Sequence, residues 1–336
     1  MSTGQFEQAL AGAGLRRSHG RSLRRAILRR GANEWPASAG PEQALPKDGA
    51  KRLAASGIVP LGTRVASTHP SPDGSTKLVV ALADGKNVEC VVLPAEKGLW
   101  SVCVSSQVGC PVGCPFCASG IGGLVRHLAT HEIVEQFAHA CAIADVRRAV
   151  VMGIGEPLLN YDAVIGALDE VSATLALAPS RLVISSVGFP DRVRQLAASG
   201  RRYGLAISLH AVEDALREKL VPAMRGIAVR EVVAAARTWA EATGGRVQFE
   251  YVVLRGVNDE LAVADELARR LGGFSCYVNF IAWNAVPGLP FERPDDERIA
   301  ALVRRCRDLG LVATRRRTLG GEATAACGQL RRSLLR

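Results

Sequence analysis

Aromatic side chains are scarce in this chain, at 5% of 336 residues. A core must therefore be built mainly from Val, Leu, Ile and Ala. With 48% hydrophobic residues, the chain can fill one large core, or a large core with a small satellite. Long apolar runs are also missing. No stretch of about 18 apolar residues occurs, so no transmembrane helix is indicated. The opening, "MSTGQFEQALAGAGLRRSHGRSLRRAILRRG", lacks the apolar segment of a secretory signal. The chain is expected in the cytoplasm, with no membrane partner. Acidic residues are outnumbered, 32 Asp and Glu against 42 Lys and Arg, for a net charge of +10. That balance favours a polyanionic partner, nucleic acid first. An arginine-rich surface of purely compositional origin is the alternative. The nine cysteines are an odd number at uneven spacing. In a reducing compartment they do not read as a disulfide framework, which leaves metal or redox chemistry.

The chain divides into three parts. Residues 1–95 read as a small accessory unit with a helical element and a short β hairpin. In "LRRSHGRSLRRAILRRG", Leu15, Leu23, Ile27 and Leu28 fall at helical spacing among arginines, either as a solvated helix or as a phosphate-facing one. Arg16, Arg17, Arg24 and Arg25 are the candidate phosphate contacts. "ADGK" between apolar runs predicts a hairpin. From residue 96 to 320, β-branched runs ("SVCVSS", "RAVVMGIG", "RLVISSVG", "GLAISLH", "VQFEYVVL", "CYVNFIAWN", "LVATRRR") alternate with helix-like stretches. Repeated βα units with continuous apolar strands imply an α/β fold with a parallel sheet covered by helices, a partial or full barrel. Its chemistry would lie at the C-terminal mouth. Residues 321–336 read as a loop carrying Cys327, followed by a basic tail. Arg315 to Arg317 stand near the mouth as further basic candidates.

"SVCVSSQVGCPVGCPFCASG" concentrates the chemistry. Cys110, Cys114 and Cys117 have the spacing C-x3-C-x2-C. Three thiolates can hold a [4Fe-4S] cluster and leave one iron open to a ligand, whereas four would close it. Zinc is the rival, but its usual signature needs a second cysteine pair downstream, and none follows. His127 and His131 lie beyond a Gly-rich turn and read as capping or surface residues. Cys90, Cys141, Cys276 and Cys306 fall in strand- and helix-like runs and read as ordinary buried thiols. Cys327 differs, because it follows the poorly periodic "TLGGEATAACGQL", which reads as a loop able to enter the mouth.

The triplet, with Phe116 before its last cysteine, resembles the radical S-adenosylmethionine (SAM) superfamily. "CVSSQVGC", "GIGEPLLN", "AISLHA", "EYVVLRGVND", "WN" before "PG", and "AACGQL" follow one another as in the RlmN/Cfr family of RNA adenine methyltransferases. The resemblance runs from about Gly14 to Leu330 and is weakest at the start. It implies a partial barrel of radical SAM type and a cluster on Cys110, Cys114 and Cys117. It further implies SAM contacts at Gly155, Glu156, Ser185, Ser208, Leu209, His210 and Asn284. Taken singly, each of these could be a plain turn or a helix cap; together at one mouth they carry more weight. The resemblance implies two SAM molecules per turnover. One methylates Cys327, and the other yields a 5′-deoxyadenosyl radical that takes hydrogen from that methyl group. The carbon radical then adds to adenine, at C2 in preference to C8. Glu89 accepts a proton, and Cys103 releases the product through a transient Cys103–Cys327 disulfide. The implied partners are ribosomal RNA first, then transfer RNA, and an electron donor such as a flavodoxin or ferredoxin, with the enzyme a monomer. The sequence departs from the family pattern after the cluster ("ASGIGGLVRHL", with His127 for Asn) and before "AACGQL" ("RTLGGEAT"), which leaves the target nucleotide open. A radical SAM enzyme with a peptide or small-molecule substrate, or an iron–sulfur protein that only binds RNA, are the other readings. RNA-dependent turnover argues against the first, and SAM cleavage excludes the second.

Overall fold

The β-branched runs form strands wherever their side chains can be covered on both faces. In the computed structural model, residues 3–31, 35, 45–46, 48–57, 59–95, 98–321 and 323–331 are described. Three antiparallel strands come first, β1 (Arg64–Pro70), β2 (Thr76–Ala81) and β3 (Asn87–Pro94), and β3 pairs antiparallel with β4 (Trp100–Val104). Gly85 turns the β2–β3 hairpin in the left-handed region, at φ 77°, at the "ADGK" position. A short ribbon, β5 (Gln107–Gly109) with β6 (Leu124–His127), brackets the cysteine triplet. The sheet resumes with β7 (Val146–Val151), β8 (Leu182–Ser186), β9 (Gly204–Ser208), β10 (Val247–Val253), β11 (Cys276–Ala282) and β12 (Ala313–Arg315). Its order is β1-β2-β3-β4-β7-β8-β9-β10-β11-β12, parallel from β4 onward. Each of the seven β-branched runs named above supplies one of these parallel strands. The result is an open (β/α) barrel, whose accessory strands continue the core sheet through the β3–β4 pairing.

Ten helices are described: α1 (Thr3–Gly12), α2 (Arg17–Arg30), α3 (Gly49–Ala55), α4 (Thr130–Cys141), α5 (Tyr161–Leu175), α6 (Pro190–Ala198), α7 (Asp214–Leu220), α8 (Val229–Thr243), α9 (Ala262–Leu271) and α10 (Asp296–Asp308). No helix among the described residues is long and apolar enough to cross a membrane. Amphipathic spacing decides which faces are buried. Leu23, Ile27 and Leu28 of α2 are at most 3% exposed, and the helix packs on α4 and α5. Gly31 ends α2 at φ 58°, where a Cβ would stand 2.6 Å from Ala142 Cβ and 2.8 Å from Ala138 O. A side chain there would push the helix off α4. The Arg24 guanidinium also points inward, 2.5 Å from Glu170 of α5. Arg24 is therefore a docking residue of the helical element and presents no free charge to a phosphate.

Two apolar clusters fill the interior. The larger lies between sheet and helices, and the smaller joins Val91, Cys103, Ile154, Ala325 and Leu330 on the inner side of the barrel. The smaller one draws the C-terminal loop against the β3–β4 edge of the mouth.

Candidate functional site

The triplet loop is held by main-chain contacts from distant parts of the chain. Trp283 Nε1 donates to Phe116 O (2.9 Å), Ala118 N to Gly328 O (2.8 Å), Ser119 Oγ to Leu330 O (2.7 Å) and Ala223 N to Val112 O (3.2 Å). These bonds fix the three thiols on the wall of one cavity of about 200 Å³ at the strand ends. Burial pushes the Cys110 thiol up to about 12. Burial and neighbouring thiolate charge also raise Cys114, and burial raises Cys117 despite hydrogen bonds from Ser119 and Gly120. Such thiols lose their protons to a bound cation, so metal loading and deprotonation are one event. Among the described residues, no three His, Cys, Asp or Glu side chains converge as a single-ion site would require. Thiols spread around a cavity suit a polynuclear cluster, where each binds a different iron.

Of the seven strand-end residues singled out for SAM, six line this cavity: Gly155, Glu156, Ser185, Ser208, His210 and Asn284. Leu209 does not; it is 1% exposed, and its N–H donates to Glu250 O (3.0 Å). Gly155, at φ 110°, would place a Cβ 2.7 Å from Ser106 Oγ and from Gln107 Cβ, so the turn after β7 seats only a glycine against the β5 approach. The Glu156 carboxylate is committed to the main chain, accepting from Leu158 N (3.0 Å) and Val187 N (2.9 Å). Its burial pushes the carboxyl up to about 7. It ties the end of β7 to the end of β8. His210 sits at φ 61° with Nδ1 accepting from Val252 N (3.1 Å) and its ring edge-on to Phe116 (5.1 Å). Burial, and then the Arg217 charge, pull it down to about 3. It is thus neutral, with its proton on Nε2.

The C-terminal loop closes the mouth. Asn284 Nδ2 donates to Cys327 O (3.0 Å), and Gln329 Nε2 to Ala285 O (2.8 Å). Cys327 and Cys103 line the same cavity as the triplet, and both are free thiols. Burial, and then the Cys327 charge, push Cys103 up to about 12. Cys103 pairs with Val91 across β3–β4. Strand alternation places Glu89 on that same face, one pleat beyond Val91. Glu89 is 1% exposed and stands outside the cavity wall, 3.2 Å from Lys77 Nζ, and it accepts from Arg331 N (2.9 Å). Lys77 also donates to Thr324 Oγ1 (3.0 Å), so this ion pair clips both ends of the Cys327 loop.

Sequence reasoning missed three charged groups here, Glu250, Lys77 and Arg217, and had a fourth, Arg316, only as a basic candidate near the mouth. Arg316 lines the cavity and donates to Glu250 Oε1 (3.1 Å), and the Cys327 charge is the largest influence holding it protonated. Glu250, 1% exposed, also accepts from Asn279 Nδ2 (3.2 Å) and Gln248 Nε2. Lys77 and Arg217 are likewise buried, at 8% and 1% exposure. Arg316 was visible only as the middle of an exposed-looking "RRR". Its neighbours behave as surface residues: Arg315 pairs with Asp296 (2.5 Å), and Arg317 stands exposed on the rim of the cavity. Arg16 and Arg25 are exposed; the side chain of Arg17, and residues 332–336 of the basic tail, lie outside the described residues.

The model of the radical SAM superfamily matches residues 104–267. A curated protein of Thermosynechococcus vestitus named "Probable dual-specificity RNA methyltransferase RlmN" is 42% identical over 269 residues, 80% of this chain and 80% of that protein. One of the same name from Rhodopirellula baltica is 45% identical over 269 residues, covering 78% of this chain and 72% of the other. A solved radical SAM methyltransferase from Sphaerobacter thermophilus superposes with a TM-score of 0.89 at 36% identity, over 98% of each chain.

Proposed function

The chain belongs to the radical SAM superfamily and, within it, to the family of the RlmN-named methyltransferases, and we propose that it methylates a carbon of adenine in RNA, C2 in preference to C8, through Cys327 and Cys103. Ribosomal RNA is the first substrate and transfer RNA the second. The observation that carries this reading is the convergence of two cysteines, remote from each other in sequence, on the cavity wall that also holds the C-x3-C-x2-C thiols. A superfamily cofactor site needs the triplet alone; it has no use for two further thiols.

The donor set fits a [4Fe-4S] cluster, with Cys110, Cys114 and Cys117 as its holders and Ser185, Ser208, His210 and Asn284 on the wall available to SAM. When bound, cluster and SAM supply the one-electron cleavage that makes a 5′-deoxyadenosyl radical. The protein's part is placement and shielding. Asn284 and Gln329 hold the Cys327 main chain at the mouth. The apolar cluster of Val91, Ile154, Ala325 and Leu330 packs around Cys103 and shields its thiol from water. Arg316 stands in the same wall and places positive charge beside Cys103, which offsets part of the burial that pushes this thiol up. Glu89, in its ion pair with Lys77, is the proton acceptor in this reading. Residues 1–95 form the RNA-contacting part, 96–320 the radical SAM core and 321–336 the loop and tail that bring Cys327. The enzyme acts as a cytoplasmic monomer and draws its electrons from a flavodoxin or ferredoxin. Mass mapping of methyladenosine in ribosomal and transfer RNA, with and without this gene, tests the assignment. A methyl group on an adenine carbon that disappears with the gene is the expected result. Identical maps would overturn it.

A further inference from the structure

Arg217, on α7, carries a charge that the protein itself leaves unanswered. It is 1% exposed. Its Nε donates to Leu209 O (3.1 Å), and its Nη2 to Val187 O (2.6 Å) and Ser208 O (3.3 Å). These carbonyls belong to the last residue of β9 and to the residues just after β8 and β9, so the guanidinium ties two strand ends of the mouth together. Its Nη1 is buried with no hydrogen-bond partner among the described residues. The carboxylate whose charge reaches it, Asp214, is exposed and accepts from Val229 N instead (2.7 Å). Three neutral carbonyls solvate a cation in part, but they do not cancel its charge. A buried guanidinium with an open donor is costly, and a nearby anion relieves that cost.

Val187 and Ser208, two of the residues whose carbonyls Arg217 grips, line the same cavity as the triplet, so the guanidinium stands behind that wall. We propose that Arg217 is the built-in counter-cation of the iron–sulfur cluster and that it sets the potential at which the cluster accepts its electron. The inference rests on the cluster reading above. Reduction moves one electron from the external donor onto the cluster and makes it more negative by one unit. A cation fixed in a dry wall favours the reduced form over the oxidised one. Arg217 is suited to this because its other nitrogens are locked by carbonyls, so the charge is already in position and cannot swing away to solvent. Lysine would carry the charge without the fork that grips three carbonyls at once.

The test uses the full-length protein, loaded with iron and sulfide under anaerobic conditions, in wild-type form and as Arg217→Gln and Arg217→Lys. Iron content and the reduction potential, followed by electron paramagnetic resonance during titration with dithionite, are measured for each. The glutamine variant is expected to keep its iron but to have a reduction equilibrium about tenfold less favourable, a shift of about 59 mV to more negative potential for one electron. The lysine variant is expected to stay near the wild-type potential. A glutamine variant that reduces at the wild-type potential overturns the proposal and leaves Arg217 as a clamp of strand ends. Should the glutamine variant fail to fold, Arg217→Met takes its place as the neutral variant, with the same shift expected. A wild-type potential in the iron-loaded methionine variant overturns the proposal. A wild-type protein that takes up no iron would sink both this inference and the cluster reading, whereas iron-loaded variants with unmoved potential sink this one alone.

Discussion

The five thiols of the mouth come from two kinds of region. Cys110, Cys114 and Cys117 belong to one short loop, and their mutual placement is written in their spacing. Cys103 lies in β4 and Cys327 in the last loop, and only the closure of the sheet and the C-terminal return bring them to the same wall. The spacing within the first group is set by its own loop, and the loop as a whole is anchored by Ala223, Trp283, Gly328 and Leu330. The second depends on a long-range scaffold of Asn284, Gln329, Lys77, Glu89 and the Arg316–Glu250 pair. A local motif keeps its internal spacing when a distant contact is lost, whereas a convergent pair is exposed to any substitution that lets one partner drift.

That contrast can be sharpened first by removing iron ligands. Cys114→Ala is expected to abolish the full complement of about four irons per chain, while Cys103→Ala and Cys327→Ala keep it; iron and sulfide assays on anaerobically purified protein check this. Next comes the scaffold of the distant pair. Glu250→Ala leaves Arg316 in the wall without its carboxylate and should cost about 3 kcal/mol, read as a lower denaturation midpoint with the iron content unchanged at the start of the melt. Lys77→Met removes the donor shared by Glu89 and Thr324 and should cost about 2 kcal/mol. Its distinguishing sign is faster proteolysis of the 318–331 loop, with the 110–117 loop protected as before. The smallest effect is expected at the helical element. Arg16→Ala with Arg25→Ala should reduce the slope of log affinity for single-stranded RNA against log salt by roughly 1.4. An unchanged slope would show that this face is merely solvated.

The same contrast explains what could be read from the sequence. Continuous β-branched runs such as "VQFEYVV" and amphipathic runs such as "VREVVAAARTWAEA" announce β10 and α8 directly, because local spacing and burial agree. The ribbon β5–β6 escapes notice because its strands are short and lean on Gly109, whose Cβ would meet Gly123 O at 2.0 Å. The triplet was legible from its spacing and Cys327 from the aperiodic loop that carries it, whereas the role of Cys327 and the choice of Cys103 were legible only through resemblance. Glu156 was expected beside a ligand; it does line the cavity, while its carboxylate is occupied in joining two strand ends. Arg217, and the inward turn of Arg316, were hidden because "DALREKLV" and "TRRRT" have the composition of surface segments. Their burial is decided by partners many positions away, Val187 O and Glu250. An arginine next to other arginines gives no local sign of facing inward.

In the proposed reaction the two distant thiols divide the work, Cys327 carrying the methyl group and Cys103 releasing the product, and a crosslinking assay separates their roles. Cys103→Ala and Cys327→Ala, each loaded with iron and incubated with SAM, reductant and RNA, are examined for protein–RNA adducts that survive denaturation. Cys103→Ala is expected to accumulate an adduct at Cys327, since it lacks only the thiol that releases the product. Cys327→Ala should form none, while still cleaving SAM slowly. Normal RNA methylation by either variant, or the same absence of adduct in both when both retain iron and cleave SAM, would contradict this division.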